Sequence, residues 1–293
     1  MGETPEFLKQ VEQAVTDWAT QQESIRTLLV AGSQARSVHP ADEWSDLDLE
    51  FFVTDSAAFM GEDTTWFEQF GTVWLHLDYI VDNAPQRLVI YDGGYKVDFT
   101  FFDVMRLSQL VDAQQLSDSQ GRGYRVLVDK DGLANALPPA QTGPTAFEAP
   151  TEQNYQTVVT AFWYTVIYLA KQIRRRDLWI VKYRDWTLKT HLLRMVEWHC
   201  HVRSDAPIDT WHDGHFIFEW VDAMTWQELQ ETFDGFSATQ SWRALINAVD
   251  LFRRLARETA ETLDYTYPET LDANITQYIR ALQRDDENAN QAL

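Results

Sequence analysis

The sequence predicts a two-domain α+β protein: a small mixed β-sheet with flanking helices over residues 1–140, then an all-α helical bundle over residues 151–293. Three observations carry this. Short apolar runs of strand length alternate with turn residues as far as Val128. A proline-rich break, Leu137-Pro138-Pro139-Ala140-Gln141-Thr142-Gly143-Pro144 and on to Pro150, ends regular structure. Beyond it, apolar residues recur at helical spacing almost to the C-terminus. At 293 residues, with 45% hydrophobic residues and 12 tryptophans, the chain is long enough for two cores.

The elements follow in order. Residues 6–21 place Phe7, Leu8, Val11, Val15 and Trp18 along one face of an amphipathic helix. Residues 26–31 and 46–53 read as strands, joined by the loop His39-Pro40-Ala41-Asp42-Glu43-Trp44. A short helix is expected over 64–70 and a loosely alternating strand over 73–81. Segments 87–91 and 95–102 form a hairpin through Asp92-Gly93-Gly94, whose glycines supply the positive φ of a tight turn. A helix over 105–113 precedes a strand over 124–128, stopped by Asp129-Lys130-Asp131-Gly132. In the second domain, Thr151 opens a long helix with Tyr155, Val158, Val159, Phe162, Val166 and Leu169 on one side. Further long helices are expected over 179–198 and 242–263. Trp163, Trp179, Trp186 and Trp211 are expected to be mostly core, with one or two open to forming a sugar-stacking wall, and the polar tail over 284–293 to fray.

Composition narrows the function. A net charge of −21 repels nucleic-acid phosphates and favours a cationic small-molecule acceptor. An acidic surface that merely maintains solubility, or that reflects a saline habitat, accounts for the charge equally well. No apolar run approaches the ~20 residues of a membrane span, and the opening Met1-Gly2-Glu3-Thr4-Pro5-Glu6 is acidic rather than signal-like. Glu6 stands where a myristoylation signal needs Ser or Thr. The single Cys200 permits no internal disulfide and fits a reducing cytosol. His199 and His201 flank it, but residues two apart on a helix diverge, so a buried, inert thiol is expected rather than a metal site. The expected setting is cytoplasmic, as a monomer or weak dimer, with no nucleic-acid and no membrane partner.

The chemistry is concentrated in two segments. Leu28-Leu29-Val30-Ala31-Gly32-Ser33 is an apolar strand ending in a Gly-Ser turn, where backbone and a hydroxyl can approach phosphates. Asp46-Leu47-Asp48 then opens the next strand, with both carboxylates on one face and roughly 6.5–7 Å apart along the backbone. Paired carboxylates of this kind make a hard oxygen site suited to Mg²⁺ on a nucleotide. Two-metal transfer chemistry normally adds a third acid from a neighbouring strand. Asp98 is the one acid of Tyr95-Lys96-Val97-Asp98-Phe99-Thr100-Phe101-Phe102 and lies on its more polar face, with Lys96, Thr100 and Phe102. Asp46, Asp48 and Asp98 are therefore the expected metal-binding and catalytic residues. Arg36 has two roles open to it, reaching a triphosphate or seating the loop. Trp44 can stack on a base or sugar, or plug the loop against the core.

These segments resemble the polymerase-β-type nucleotidyltransferase superfamily and, within it, the aminoglycoside 6-adenylyltransferases that modify streptomycin. The resemblance rests on Ala31-Gly32-Ser33-Gln34-Ala35-Arg36, Trp44-Ser45-Asp46-Leu47-Asp48-Leu49-Glu50-Phe51-Phe52 and Val97-Asp98-Phe99. It continues through Arg175-Arg176-Asp177-Leu178-Trp179, Val181-Lys182, Leu192-Leu193-Arg194-Met195-Val196-Glu197-Trp198-His199, Trp242-Arg243-Ala244-Leu245 and Leu251-Phe252-Arg253-Arg254-Leu255-Ala256. Ser37 stands where many superfamily members carry glycine. The resemblance implies transfer of AMP from ATP to a hydroxyl of a cationic aminoglycoside, with streptomycin the leading candidate. The alternatives are transfer to another small molecule or a protein, or a non-catalytic nucleotide-binding regulator.

Nucleotide binding is assigned to Gly32, Ser33, Arg36, Lys182 and Lys189. The two lysines are seven residues apart on one helical face, though exposed helical lysines are ordinarily just solvated. Asp177, Asp185, Glu197 and Trp44 are the acceptor-binding candidates. Glu197 also has a simpler role, pairing with Arg194 one turn away. The base for the acceptor hydroxyl is either Asp98 or an acid of the helical domain.

Overall fold

The computed structural model describes residues 4–81, 83–141, 143–144 and 146–291. Residues 1–3, which carry the expected absence of a leader or acyl signal, lie outside this set. The chain divides into two compact units, Met1–Gly143 and Pro144–Leu293.

The first unit begins with helix α1 (Glu6–Gln21), then strands β1 (Ile25–Ala31) and β2 (Leu47–Val53). The short helix α2 (Thr65–Glu68) leads to strands β3 (Val73–Val81), β4 (Ala84–Tyr91) and β5 (Tyr95–Asp103). Helices α3 (Val104–Ala113) and α4 (Asp118–Gly121) precede β6 (Arg125–Asp129). The six strands form one mixed sheet in the order β3-β4-β5-β2-β1-β6. Every pairing is antiparallel except β2 with β5.

Strand alternation decides what each face holds. Leu47, Leu49, Phe51 and Val53 of β2 and Val97, Phe99 and Phe101 of β5 are buried against Leu8, Val11, Val15 and Ala19 of α1. Rings fill this layer: Phe59 stacks on Phe101 at 4.8 Å and Trp18 on Trp66 at 5.5 Å. The other face is covered by a smaller core of Leu29 and Phe52 with Leu107 and Leu110 of α3, and Phe102 packs against it. Each such ring or leucine withdrawn from water contributes about 1.5–3 kcal/mol, so both faces are firmly covered near the sheet centre. Asp48, Glu50, Asp98 and Thr100 share this second face by alternation, toward the end where β1 finishes and β2 and β5 begin.

The second unit is helical among its described residues: α5 (Glu152–Arg174), α6 (Leu178–Arg203), α7 (Ile217–Trp220), α8 (Ala223–Glu231), α9 (Ala238–Leu263) and α10 (Glu269–Gln291). Side-chain caps start three of them: Thr151 accepts from Asn154 N at 3.2 Å, Asp222 from Thr225 N at 2.9 Å and Ser237 from Gln240 N at 3.2 Å. The core joins α5, α6 and α9, with Phe162 stacked on Phe252 at 3.6 Å. No helix among the described residues is long and apolar enough to cross a membrane.

Two expectations for this unit are corrected. The tail does not fray at 284, because α10 continues to Gln291 and Asp286 is 1% exposed. Its carboxylate accepts from Arg176 Nη1 at 2.6 Å and from the indole Nε1 of buried Trp242 at 3.1 Å, with Arg174 at 3.4 Å. Trp163 is core, but Trp179 and Trp186 stand 75% and 70% exposed on α6 and Trp211 is half-buried.

Candidate active site

At the end of β1, Ala31 hands over to a tight 3₁₀ turn, Gly32–Gln34. Ala35 and Arg36 both donate their backbone N–H to Gly32 O at 3.1 Å, which folds the chain back over the strand end. Gly32 is required here on two counts. Its φ is +66°, and a Cβ would lie 2.2 Å from Asp48 Oδ2. Gln34 Nε2 donates to Asp46 O at 3.2 Å, fastening this turn to the start of β2.

The parallel pairing of β2 with β5 puts Asp48 directly beside Asp98. Asp46, one residue ahead of β2, lies beside Lys96, whose Nζ donates to Asp46 Oδ2 at 2.9 Å and Asp98 Oδ2 at 3.1 Å. The three carboxylates therefore gather on one side of the sheet, next to Gly32. Burial, then the Asp98 carboxylate beside it, pushes the Asp48 carboxyl up to about 7, with Lys96 opposing. Burial also raises Asp98, against the pull of Lys96. Burial alone would lower the Lys96 ammonium, but Asp46 and Asp98 outweigh it and hold it above its ordinary value.

Asp98 Oδ1 is buried and has no hydrogen-bond partner. Crowded, desolvated carboxylates with an unpartnered oxygen have the donor chemistry of a divalent-cation site. No three His, Cys, Asp or Glu side chains among the described residues are already gathered around a metal-sized point. Lys96 stands among the acids instead.

Arg36 spans its own loop, with Nε donating to His39 O at 2.6 Å. Burial and the nearby Arg122 guanidinium lower it, while Asp48 and Asp42 pull the other way. Ser33 is half-buried in the turn, and its carbonyl accepts from Ala41 N at 2.9 Å. Trp44 is 84% exposed, so it does not plug the loop into the core. The cause is local: Asp42 Oδ1 accepts from Trp44 N at 3.0 Å and from Ser45 Oγ at 2.9 Å, a side-chain turn that presents the indole outward.

Glu50 continues the Asp46, Asp48 row into the interior, where it is 5% exposed. Ser119 Oγ and Gln120 Nε2 each donate to it at 2.6 Å, securing α4 to the sheet. Burial raises its carboxyl, and these two bonds offset part of that. Just beyond α4, Gly123 packs so tightly that a Cβ would lie 2.5 Å from Ala35 O. Glu50 thereby supports the turn from behind.

In the second unit, Lys182, Asp185, Lys189 and Glu197 all lie on α6, with Asp177 at its N-terminus. Lys189 is not a solvated surface lysine. It is 6% exposed, donates to Asp185 Oδ1 at 3.0 Å, and lies 4.8 Å from the Phe233 ring centroid. Burial lowers its ammonium, with Asp185 opposing. Lys182 Nζ donates to Asp234 O at 3.2 Å. Glu197 pairs with Arg194 at 3.4 Å, and burial raises its carboxyl against that pairing. Asp177 is exposed. One continuous helix separates Asp177 from Glu197 by about 30 Å at 1.5 Å per residue, so the three acids do not converge. Near the end of α6, Cys200 is free and buried, and burial pushes its thiol up to about 12. Its neighbours look elsewhere, His199 Nε2 to Glu258 at 2.7 Å and His201 Nε2 to Thr210 at 3.0 Å.

The family model for streptomycin adenylyltransferase matches residues 7–282, which takes in both units. The chain belongs to that family. Among its relatives is the aminoglycoside 6-adenylyltransferase of Bacillus subtilis strain 168, 24% identical over 275 residues covering 91% of this chain and 94% of that one. The protein of the same name from Campylobacter jejuni is 26% identical over 280 residues, covering 92% and 94%. A crystal structure of an aminoglycoside 6-adenyltransferase from Bacillus subtilis aligns at 20% identity and TM-score 0.45, covering 95% of this chain and 99% of that one.

Within this adenylyltransferase-family chain, sequence reasoning missed Lys96, Glu50 and Gly123. The signal for Lys96 was available: it shares a strand face with Asp98, and a cation on an acidic face is rarely idle. Glu50 carried a weaker one, as the third acid of the alternating row Asp46, Asp48, Glu50. Its partners Ser119 and Gln120 lie some seventy residues onward.

Proposed function

We propose that this chain transfers AMP from ATP to a hydroxyl of an aminoglycoside, streptomycin being the first acceptor to test. The supporting observation is the cluster of Asp46, Asp48 and Asp98 beside the Gly32 turn, in a chain of the streptomycin adenylyltransferase family. The acceptor oxygen forms a bond to the α-phosphorus while the bond to the bridging α–β oxygen breaks, releasing pyrophosphate. Mg²⁺ held by Asp46, Asp48 and Asp98 would supply positive charge against the phosphate oxygens. Gly32 and Ser33 offer backbone and hydroxyl contacts to the phosphates, and Arg36, braced over the turn, adds a cation. Lys182 and Lys189 are proposed as further phosphate contacts, each exchanging its present partner. Asp98, or an acid of the helical unit, accepts the proton of the acceptor hydroxyl.

Trp44, Asp177, Asp185 and Glu197 are proposed acceptor contacts. An outward indole suits a flat cyclitol face or a guanidinium, and carboxylates suit its cations. The net charge of −21 raises the local concentration of any polycation. We further propose a cytoplasmic monomer or weak dimer that acts on small molecules rather than nucleic acid.

Pyrophosphate release from ATP and Mg²⁺ with streptomycin, spectinomycin or no acceptor tests this. Release that depends on streptomycin is expected. Turnover only with a different acceptor would replace the substrate, and ATP binding without turnover would make the chain a regulator.

A further inference from the structure

Lys96 occupies the middle of the acidic cluster, and its position follows from register. Leu47 pairs with Val97 and Asp48 with Asp98, so one residue earlier Lys96 falls beside Asp46. Alternation turns it to the same face as Asp98. Its ammonium bonds to one oxygen of Asp46 and one of Asp98, at 2.9 and 3.1 Å. Those oxygens belong to the same carboxylates that a divalent cation would need. The Lys96 side chain is 35% exposed and that of Asp46 42%, against 12% for Asp98, so the Lys96–Asp46 bond lies at the open edge of the cluster and the lysine has room to leave.

We propose that Lys96 is a built-in substitute cation, which holds Asp46 and Asp98 together in the metal-free protein and passes to the nucleotide phosphates when a divalent ion takes those oxygens. This rests on reading the cluster as a cation-and-nucleotide site. Its consequence is an exchange with opposite signs. A divalent ion arriving alone must displace an ammonium that then has no new partner, so Lys96 opposes it. With a triphosphate present, the displaced ammonium gains phosphate oxygens, so Lys96 assists. A lysine that only supported the fold would move both affinities the same way.

The test compares full-length wild type, Lys96→Met, Lys96→Gln and Lys96→Arg. Mn²⁺ binding without nucleotide is read by electron paramagnetic resonance of the free ion. Binding of α,β-methylene ATP at saturating Mn²⁺ is read by calorimetry. Lys96→Met is expected to bind Mn²⁺ alone roughly fivefold more tightly, yet bind the Mn²⁺–analogue pair about tenfold more weakly. Lys96→Gln should follow it, which covers poor folding of the methionine variant, and Lys96→Arg should stay near wild type in analogue binding. If both affinities fall together in the Met and Gln variants, or neither changes, the inference is overturned while the cation site stands. Failure of wild type to bind Mn²⁺, even with the analogue, would overturn the cation-site reading and this inference with it.

Discussion

Gly32 and Asp48 are so closely apposed that one added methyl group at position 32 would stand 2.2 Å from the carboxylate oxygen Oδ2. The turn and the carboxylate thus share one space, and whatever displaces one displaces the other. Gly32→Ala should cut adenylyl transfer at least about a hundredfold by shifting Asp48, and should cost about 1–2 kcal/mol of stability from φ +66° alone, with the overlap adding to it. Turnover measured beside thermal melting checks this, and near-normal turnover would show that the apposition does not matter to catalysis.

Each of Asp46→Asn, Asp48→Asn and Asp98→Asn should lower turnover about a thousandfold or more, the several kcal/mol attributed to metal-held charge. Circular dichroism should be unchanged. Retained turnover in any one would remove that residue from the assigned site.

The metal-free protein should lose stability as pH rises. The Asp48 carboxyl is raised from 3.8 to about 7, so between these values the native state keeps a proton that the unfolded chain has released. Its stabilising contribution is complete below about pH 4 and is lost as pH rises through 7, by at most about 4 kcal/mol. Urea denaturation in chelator from pH 5 to 8 should therefore show a falling stability in wild type and a flatter profile in Asp48→Asn. Identical slopes would mean that Asp48 is not the group responsible.

Glu50→Ala should destabilise the first unit by about 3 kcal/mol, because it strands the amide of Gln120, itself 1% exposed, and opens a cavity. Limited proteolysis should cut first near α4. An unchanged urea midpoint would show that α4 is secured by other contacts.

Asp286→Ala should lower the stability of the helical unit by about 3 kcal/mol, because the Trp242 indole N–H is left buried without its acceptor. Removing residues 284–293 should do the same or worse. A midpoint within error of wild type would restore the view of this segment as a loose tail.

What could be read from the sequence was whatever is encoded locally. Alternation of Val97, Phe99 and Phe101 against Lys96, Asp98 and Thr100 assigns the two faces of β5, and the row Asp46, Asp48 does the same for the start of β2. The aligned pair Asp48–Asp98 needed only the added fact that β2 and β5 are neighbours. Long-range polar burial was not legible. Asp286 sits in a stretch without apolar periodicity, and its partners Arg174, Arg176 and Trp242 are 44 or more residues distant. Trp179 and Trp186 misled for the opposite reason, since a large apolar residue on a helix is normally inside. Trp44 followed the Asp42–Ser45 turn outward, a geometry set by two short hydrogen bonds rather than by hydrophobicity.

The seclusion of Cys200 has a practical corollary. With its one sulfhydryl shut inside the bundle and held protonated at neutral pH, the wild-type exterior offers no site for maleimide dyes or spin labels. A single cysteine introduced at an exposed position outside the proposed site, such as 112, would thus accept a reporter selectively.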